Sequence, residues 1–183
     1  MSKQKIIESA IFIFNADFSA SLDKVATHAS VSRRTLHRHF KDRQDLLDAC
    51  IFEMMKTWQA AMLVAFKNST DPIKQLEEML YAGIDCGVKY AFLTKLQNRA
   101  EELSALPTGD SEAYTKARDR WFSFIPDLGA KKIINNNLSI AWIRILFTHM
   151  IMAAVDALQS GDVAPNTIKE NAWYSFRRSI GMD

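Results

Sequence analysis

Basic and hydroxyl side chains are concentrated in a short stretch near the N-terminus. Arg33 and Arg34 follow Ser32 directly, and arginine can donate two hydrogen bonds to the O6 and N7 atoms of guanine. Ser21 and Ser32 are typical helix N-caps, and the backbone N–H groups at the two helix starts suit phosphate oxygens. The residues that we expect to contact nucleic acid are Ser21, Ser32, Arg33, Arg34, Thr35, His37, Arg38, His39, Lys41 and Arg43.

Two short helices joined by a turn are required to position these side chains. Residues 22–29 carry apolar residues at helical spacing, and the polar turn 30–32 interrupts the pattern. A second helix at 33–40 turns Leu36 and Phe40 inward and leaves its basic residues outside. This is the helix-turn-helix arrangement, whose second helix enters a major groove about 12 Å wide. The segment therefore favours double-stranded DNA as a partner.

Small, apolar and basic residues in this region recur at a specific spacing. In chain order they are Val25-Ala26, Ala29-Ser30-Val31-Ser32, Thr35-Leu36-His37, His39-Phe40, Arg43 and Leu46-Leu47. With this spacing, residues 6–50 resemble the N-terminal DNA-binding domain of the TetR family of bacterial transcriptional regulators. The resemblance implies that the third helix reads the major groove and that the start of the fourth helix touches phosphate. It also implies a C-terminal domain that binds an inducer and dimerises.

Four features depart from the family pattern. Ser30 stands where the family has the turn glycine, which costs about 1 kcal/mol if its φ is positive. His37 replaces a tyrosine, so we expect DNA affinity to depend on pH. Arg43 replaces the lysine that opens the fourth helix. The glycine between the first and second helices is replaced near Asp17, in a shorter connection. We expect the fold to accept all four departures.

The composition predicts long helices with few connections. The chain has 183 residues, of which 48% are hydrophobic and 24% charged, with 6 glycines and 4 prolines, so little turn chemistry is present. We predict an all-α fold in which a three-helix helix-turn-helix domain (1–45) is joined by a long helix to a C-terminal helical domain (46–183) that binds ligand and dimerises. Helices are predicted at 5–14, 22–29, 33–40, 42–66, from 72 onward, at 92–106, 110–124, 138–159 and 167–180, with a loop around Pro126 and Gly129.

Positive charge is localised rather than general. Residues 1–45 carry eight Lys/Arg and five Asp/Glu, a balance of +3, whereas the whole chain has a net charge of +2. The remaining residues therefore carry about −1. This asymmetry supports a polyanionic partner for the N-terminal segment only.

Aromatic and methionine side chains in the C-terminal part fit either an ordinary core or a ligand cavity. As a set they could enclose an apolar pocket of about 300–1,000 Å³ with a few orienting polar groups, which would favour a small hydrophobic or amphipathic effector. The candidates are Trp58, Met62, Phe66, Phe92, Gln97, Tyr114, Trp121, Phe122, His149 and Met150.

The stretch 138–159 is apolar nearly all round. It contains Arg144, His149 and Asp156, which favours a buried helix over a membrane span. With the last helix it has more apolar surface than one subunit needs, so we expect a homodimer built on four helices. The expected interface residues are Trp142, Ile143, Phe147, Ile151, Trp173 and Phe176.

Catalytic and cofactor motifs do not stand out in the sequence. We find no Gly-rich phosphate loop, GxSxG elbow or HExxH pair, and expect neither an enzyme nor a bound cofactor or metal. Cys50 and Cys86 are expected to be small buried hydrophobes in a reducing cytoplasm, with a redox role left open. We therefore predict a ligand-responsive repressor. The alternative is a helical small-molecule binding or interaction module that keeps the fold without reading an operator.

Overall fold

The structure is a computed structural model that describes residues 3–92, 116 and 119–182. Within these ranges, eight α-helices and one short 3-10 helix, Pro165–Thr167, are described from end to end, and the predicted all-α fold is confirmed. The α-helices, numbered here in chain order, are α1 (Lys3–Ala16), α2 (Leu22–His28), α3 (Arg33–His39), α4 (Arg43–Lys67), α5 (Pro72–Lys89), α6 (Ile125–Ala130), α7 (Ile140–Ser160) and α8 (Ile168–Ser179).

The chain forms two compact units. The N-terminal unit contains the described residues up to Thr57, together with the stretch 89–92 that follows α5. The C-terminal unit contains 58–88 and the described residues from Lys116 onward. The division falls inside α4, whereas the predicted boundary is at residue 45. The chain re-enters the N-terminal unit at Lys89, which the sequence pattern does not indicate.

Side-chain caps fix where the N-terminal helices begin. Ser21 Oγ accepts a hydrogen bond from the Lys24 N–H at 3.4 Å at the start of α2. Ser32 Oγ accepts one from the Thr35 N–H at 3.1 Å at the start of α3. Both predicted caps are confirmed. The core that these helices share is made by Ile6, Ile7, Ala10, Ile11, Phe14, Ala20, Val25, Ala26, Ala29, Leu36, Phe40, Leu46, Leu47, Cys50 and Ile51, all of them buried.

The turn between α2 and α3 closes in a left-handed conformation at Ser30, whose φ is 54°. Val31 N–H donates to Ala26 O at 2.9 Å, and Ser30 N–H donates to Thr27 O at 3.0 Å. This is the Schellman pattern, in which glycine is the usual residue at the left-handed position. The expected strain at Ser30 is therefore present.

Two glycines allow close packing in the C-terminal unit. A Cβ on Gly83 would lie 2.4 Å from Ile151 Cδ1, and one on Gly87 would lie 2.7 Å from Val155 Cγ2. Glycine weakens a helix, but here it lets α5 approach α7 more closely than alanine would. The core of this unit continues onto α6 and α8, through Ile125, Leu128, Ala172 and Phe176 among others.

The predicted loop around Pro126 and Gly129 is instead the short helix α6. Proline is compatible with the first turn of a helix because the N–H it lacks has no partner there. Pro126 and Gly129 were interpreted as breakers, whereas Gly129 is buried near Asn136. The helices predicted at 92–106 and 110–124 lie largely outside the described residues.

The two apolar faces of α7 differ in burial. By length and composition this helix could cross a membrane, with a mean hydropathy of 1.5 over its most apolar window, although core helices meet the same criteria. Ile143, Phe147 and Ile151 are buried within the unit, whereas Trp142 and Ile145 are 50% and 46% exposed. One apolar face therefore packs inside the unit and another lies open.

Candidate nucleic-acid interface

The face of α3 that lies away from the core is basic. Leu36 is fully buried and Phe40, its C-cap residue, is fully buried too. The side chains of Arg34, His37 and Arg38 lie on the other side and are all exposed. The helix is therefore anchored by its apolar residues and presents cationic and imidazole donors to solvent, as a helix that enters a major groove must.

Arg33 is held loosely beside α2. Its Nε lies 3.4 Å from Asp23 Oδ1, and its Nη1 donates to Asp23 Oδ2 at 3.4 Å. The two side chains are 72% and 57% exposed, and exposed pairs of this kind contribute little to stability. Arg33 can therefore exchange this carboxylate for a base edge or a phosphate at small cost.

Ser32 and Thr35 are joined at the start of α3. Beyond the backbone cap, their hydroxyl groups are 2.9 Å apart. Ser21 has the same capping role at α2. These residues fix the position of two helix N-termini, whose remaining N–H groups are available to phosphate oxygens.

Arg43 points inward instead of toward solvent. Its Nη1 donates to Ala20 O at 2.5 Å and its Nη2 donates to Phe18 O. The guanidinium carbon lies 4.4 Å from the Phe14 ring centroid and 5.1 Å from that of Phe18. The Arg43 side chain, at the start of α4, therefore packs against Phe14 of α1 and binds two carbonyls of the loop that precedes α2.

His39 and Lys41 differ in exposure although both were grouped with the DNA-contacting residues. His39 is half-buried, and its Nε2 is buried without a hydrogen-bond partner. Lys41 is exposed, and its N–H donates to Asp45 Oδ2 at 2.9 Å. His39 therefore lies apart from the exposed face that carries Arg34 and Arg38.

The structure brings only some of the predicted effector residues together. Phe92 packs in the N-terminal unit, against Phe14 and Phe18. His149 is exposed on α7, where its Nδ1 lies 2.9 Å from Ile145 O. Gln97 and Tyr114 lie outside the described residues. The members that share the C-terminal core are Met62, Trp121 and Phe122, which are buried, and Trp58, Phe66 and Met150, which pack against it.

The expected dimer residues divide between two faces. Phe147 and Phe176 are buried inside the subunit with ring centroids 5.5 Å apart, and Ile143 and Ile151 are buried as well. These four therefore contribute to the core of their own subunit, and the predicted interface stays a prediction. Periodicity alone could not separate the two faces, because α7 is apolar on both. Trp142 is exposed and Trp173 is half-buried.

Both cysteines are free thiols within the core. Burial raises the pKa of Cys50 to about 12, with a smaller contribution from the charge of Glu53. The thiol therefore stays protonated at neutral pH, and a protonated buried thiol is a poor nucleophile.

The comparison with known proteins agrees with this geometry. Residues 6–50 match the profile of the family described as bacterial regulatory proteins, tetR family. No curated protein matches the chain in sequence. Solved structures share the fold across nearly the whole chain.

Three of these structures illustrate the likeness. LfrR from Mycobacterium smegmatis, a TetR-like regulator in complex with proflavine, has 20% identity and a TM-score of 0.68, covering 95% of this chain and 93% of its own. FadR from Bacillus halodurans, a fatty acid degradation regulator, has 15% identity and a TM-score of 0.72, covering 94% and 93%. PfmR from Thermus thermophilus, a TetR family transcriptional regulator, has 14% identity and a TM-score of 0.66, covering 100% and 97%.

A capped helix-turn-helix with an exposed basic second helix is the arrangement of a DNA-binding domain. Residues 6–50 match the profile of the tetR family of bacterial regulatory proteins, and the chain has the fold of solved TetR-family regulators. The resemblance drawn from the sequence is thereby confirmed.

Proposed function

We propose that the protein is a dimeric repressor that binds a specific operator and is released from it by a small hydrophobic or amphipathic ligand. The observation that carries the DNA-binding part is the exposed basic face of α3 opposite the buried Leu36 and Phe40. Arg33 and Arg34 occupy the first turn, from which side chains reach base edges. We propose that it acts in the cytoplasm, where operator DNA is accessible.

The open face of α7 supports the dimer. Trp142 and Ile145 are 50% and 46% exposed, and Tyr174 on α8 is 55% exposed. Large apolar side chains exposed together on neighbouring helices are typical of an interface. We propose that a second copy covers this face and that Trp142, Ile145 and Tyr174 replace the buried residues as its contacts. A two-fold dimer presents two recognition helices to half-sites about 34 Å apart or a multiple of that distance.

The proposal of a ligand is supported by the C-terminal core. Trp58 contributes a buried indole Nε1–H that has no hydrogen-bond partner, and such a donor favours a ligand with an acceptor atom. LfrR was determined with proflavine, a planar aromatic compound. We therefore propose an aromatic or amphipathic effector that contacts Trp58 and the half-buried Phe66 and Met150. Phe92 and His149 are not part of this site.

Release requires that the ligand bind the DNA-incompetent state more tightly than the competent one. A coupling of about 1–3 kcal/mol changes operator affinity about 5- to 150-fold. The helix α4 is continuous from the N-terminal unit into the C-terminal unit. We propose that a ligand-dependent change in α4 alters the separation of the two recognition helices.

Operator binding is tested by fluorescence anisotropy. The affinity for a DNA fragment from upstream of the protein's own gene is compared with the affinity for a scrambled duplex, at two salt concentrations. We expect tight, salt-dependent binding that prefers the native fragment. Arg34→Ala is expected to lose about 1–3 kcal/mol of specific binding, whereas Arg120→Ala, an exposed arginine of the C-terminal unit, serves as the matched control. Unchanged sequence preference in Arg34→Ala contradicts direct base reading by this residue. Selection from genomic fragments provides the operator if the upstream fragment does not.

A further inference from the structure

Arg144 of α7 places a cation at the edge of the C-terminal core. Its side chain is 25% exposed, and its guanidinium carbon lies 5.8 Å from the ring centroid of Phe122. Phe122 is buried and packs edge-to-face against Phe147, with ring centroids 5.3 Å apart. The guanidinium therefore has an aromatic ring on one side and limited contact with water, which strengthens its attraction for an anion.

Only part of this guanidinium is paired. Arg144 Nη1 lies 2.9 Å from Asp119 Oδ1, and the Asp119 side chain is 52% exposed. Arg144 Nε is buried and has no hydrogen-bond partner in the part of the chain that the structure describes. Arginine binds a carboxylate through two parallel N–H groups, and Nε–H is such a donor. An anion can therefore bind at Nε while Asp119 stays at Nη1.

A second buried donor lies toward the same side of α7. Trp58 Nε1 is buried and has no hydrogen-bond partner among the described residues either. The tip of the Trp58 ring meets Ile151 at Gly83, where a Cβ would lie 3.2 Å from Trp58 Cη2 and 2.4 Å from Ile151 Cδ1. Arg144 and Ile151 are seven positions apart, so they share one face of α7 at a separation of about 10 Å along its axis. One core thus contains a cationic donor and a neutral donor with an apolar stretch of α7 between them.

We propose that the effector is an aromatic carboxylate whose charged group binds Arg144 and whose ring lies along α7 toward Trp58. The inference rests on the proposed function, because it gives the charge and the shape of the effector assigned to the C-terminal core. Both unpartnered groups are N–H donors, which oxygen acceptors satisfy. Both are also accompanied by aromatic rings, Phe122 beside Arg144 and the indole of Trp58 itself, and aromatic rings pack favourably against another ring.

Calorimetric titration with three probes of one ring system tests this assignment. The probes are a naphthalene carboxylate, the corresponding neutral carboxamide and the corresponding methylammonium cation, each titrated into the full-length protein. We expect the carboxylate to bind at least about tenfold more tightly than the carboxamide, because a hydrogen bond between two charged groups is the stronger one. The cation is expected to bind most weakly, since it meets the like charge of Arg144.

Variants of Arg144 show whether this side chain makes the distinction. Arg144→Met keeps the length of the side chain and removes its charge, so we expect carboxylate affinity to fall at least about tenfold and carboxamide affinity to stay unchanged. Arg144→Lys keeps the charge without the parallel N–H pair and is expected to give an intermediate carboxylate affinity. It decides the question if the methionine variant does not fold. Arg120→Met, at an exposed arginine of the same unit, is the matched control and is expected to bind as the wild type does.

Three results overturn the inference. They are equal affinity of the wild type for carboxylate and carboxamide, an unchanged carboxylate affinity in the Arg144 variants, and no carboxylate binding at millimolar concentration. Calorimetry needs no DNA, so anisotropy of the operator complex separates this inference from the proposed function. If the carboxylate binds through Arg144 and leaves the operator bound, the inference stands and the proposed release by ligand fails. If the carboxamide binds as tightly and releases the operator, release by ligand stands and the inference fails.

Discussion

The exposed faces of α3 and α7 differ in the partner that each can accept. Opposite the buried Leu36, α3 exposes Arg34 and Arg38, which water solvates well. Opposite the buried Phe147, α7 exposes Trp142 and Ile145, which water solvates poorly. A charged face can remain free until a polyanion is present, whereas an open apolar face favours permanent cover. The difference fits the proposed roles of the two faces, a reversible contact with DNA at α3 and a lasting contact with a second copy at α7.

Charge on the open face of α7 is expected to give the largest effect. Trp142→Glu combined with Ile145→Glu would place carboxylates in the proposed interface, where burying an unpaired charge is costly. We expect the dissociation constant of the dimer to rise at least about 100-fold, because each 1.4 kcal/mol changes that constant about tenfold. Analytical ultracentrifugation over a concentration series measures this. Phe12→Glu, at an exposed position of α1, is the control, and an unchanged oligomeric state in the double variant contradicts an interface on this face.

The inward orientation of Arg43 is tested by a substitution that keeps its charge. Lysine cannot reproduce a planar group that binds two carbonyls between two rings. We therefore expect Arg43→Lys to weaken operator binding by about 1–2 kcal/mol, a typical cost of lost charged hydrogen bonds, with the salt slope unchanged. Anisotropy titrations at several salt concentrations provide both quantities. If lysine preserves affinity while Arg43→Met lowers the slope by about one, Arg43 contacts phosphate instead.

Substitution of Ser30, in the turn between α2 and α3, is expected to give the smallest of the three effects, a change in the free energy of unfolding. Ser30 has a φ of 54°, which glycine adopts without a Cβ penalty. We expect Ser30→Gly to stabilise the protein by about 0.5–1 kcal/mol, visible as a higher midpoint in urea unfolding monitored by circular dichroism. Ser30→Ala keeps the Cβ and loses the hydroxyl, so it should show no such gain. Lower stability in Ser30→Gly would mean that the serine side chain compensates for the strained backbone.

The N-terminal unit was predictable to the level of individual caps because its signals are local. Ser21 and Ser32 lie three residues before the N–H groups that they accept from, and Leu36 and Phe40 share one helical face. The sequence also marked Ser30 as the turn position at which a positive φ would cost energy, and its φ is 54°. Short-range geometry of this kind is encoded in adjacent residues.

Contacts between distant residues were not predictable in the same way. Asn15 lies just beyond the predicted helix 5–14, and nothing adjacent to it indicates that its amide binds Lys89 and Phe92, more than seventy positions away. Phe92 was assigned to a ligand cavity because aromatic composition does not tell which core a ring joins. Arg43 was expected to contact phosphate from the family pattern, and only the packing of Phe14 and Phe18 around it shows the inward orientation.

The distribution of indole rings makes the two units optically distinct. The chain has four tryptophans, and Trp58, Trp121, Trp142 and Trp173 all belong to the C-terminal unit. Intrinsic emission excited at a wavelength where tyrosine absorbs little therefore originates from that unit alone. An effector that quenches Trp58 and a fluorophore on the operator can thus be followed separately in one cuvette, so that binding of ligand and release of DNA are timed against each other without any engineered label on the protein.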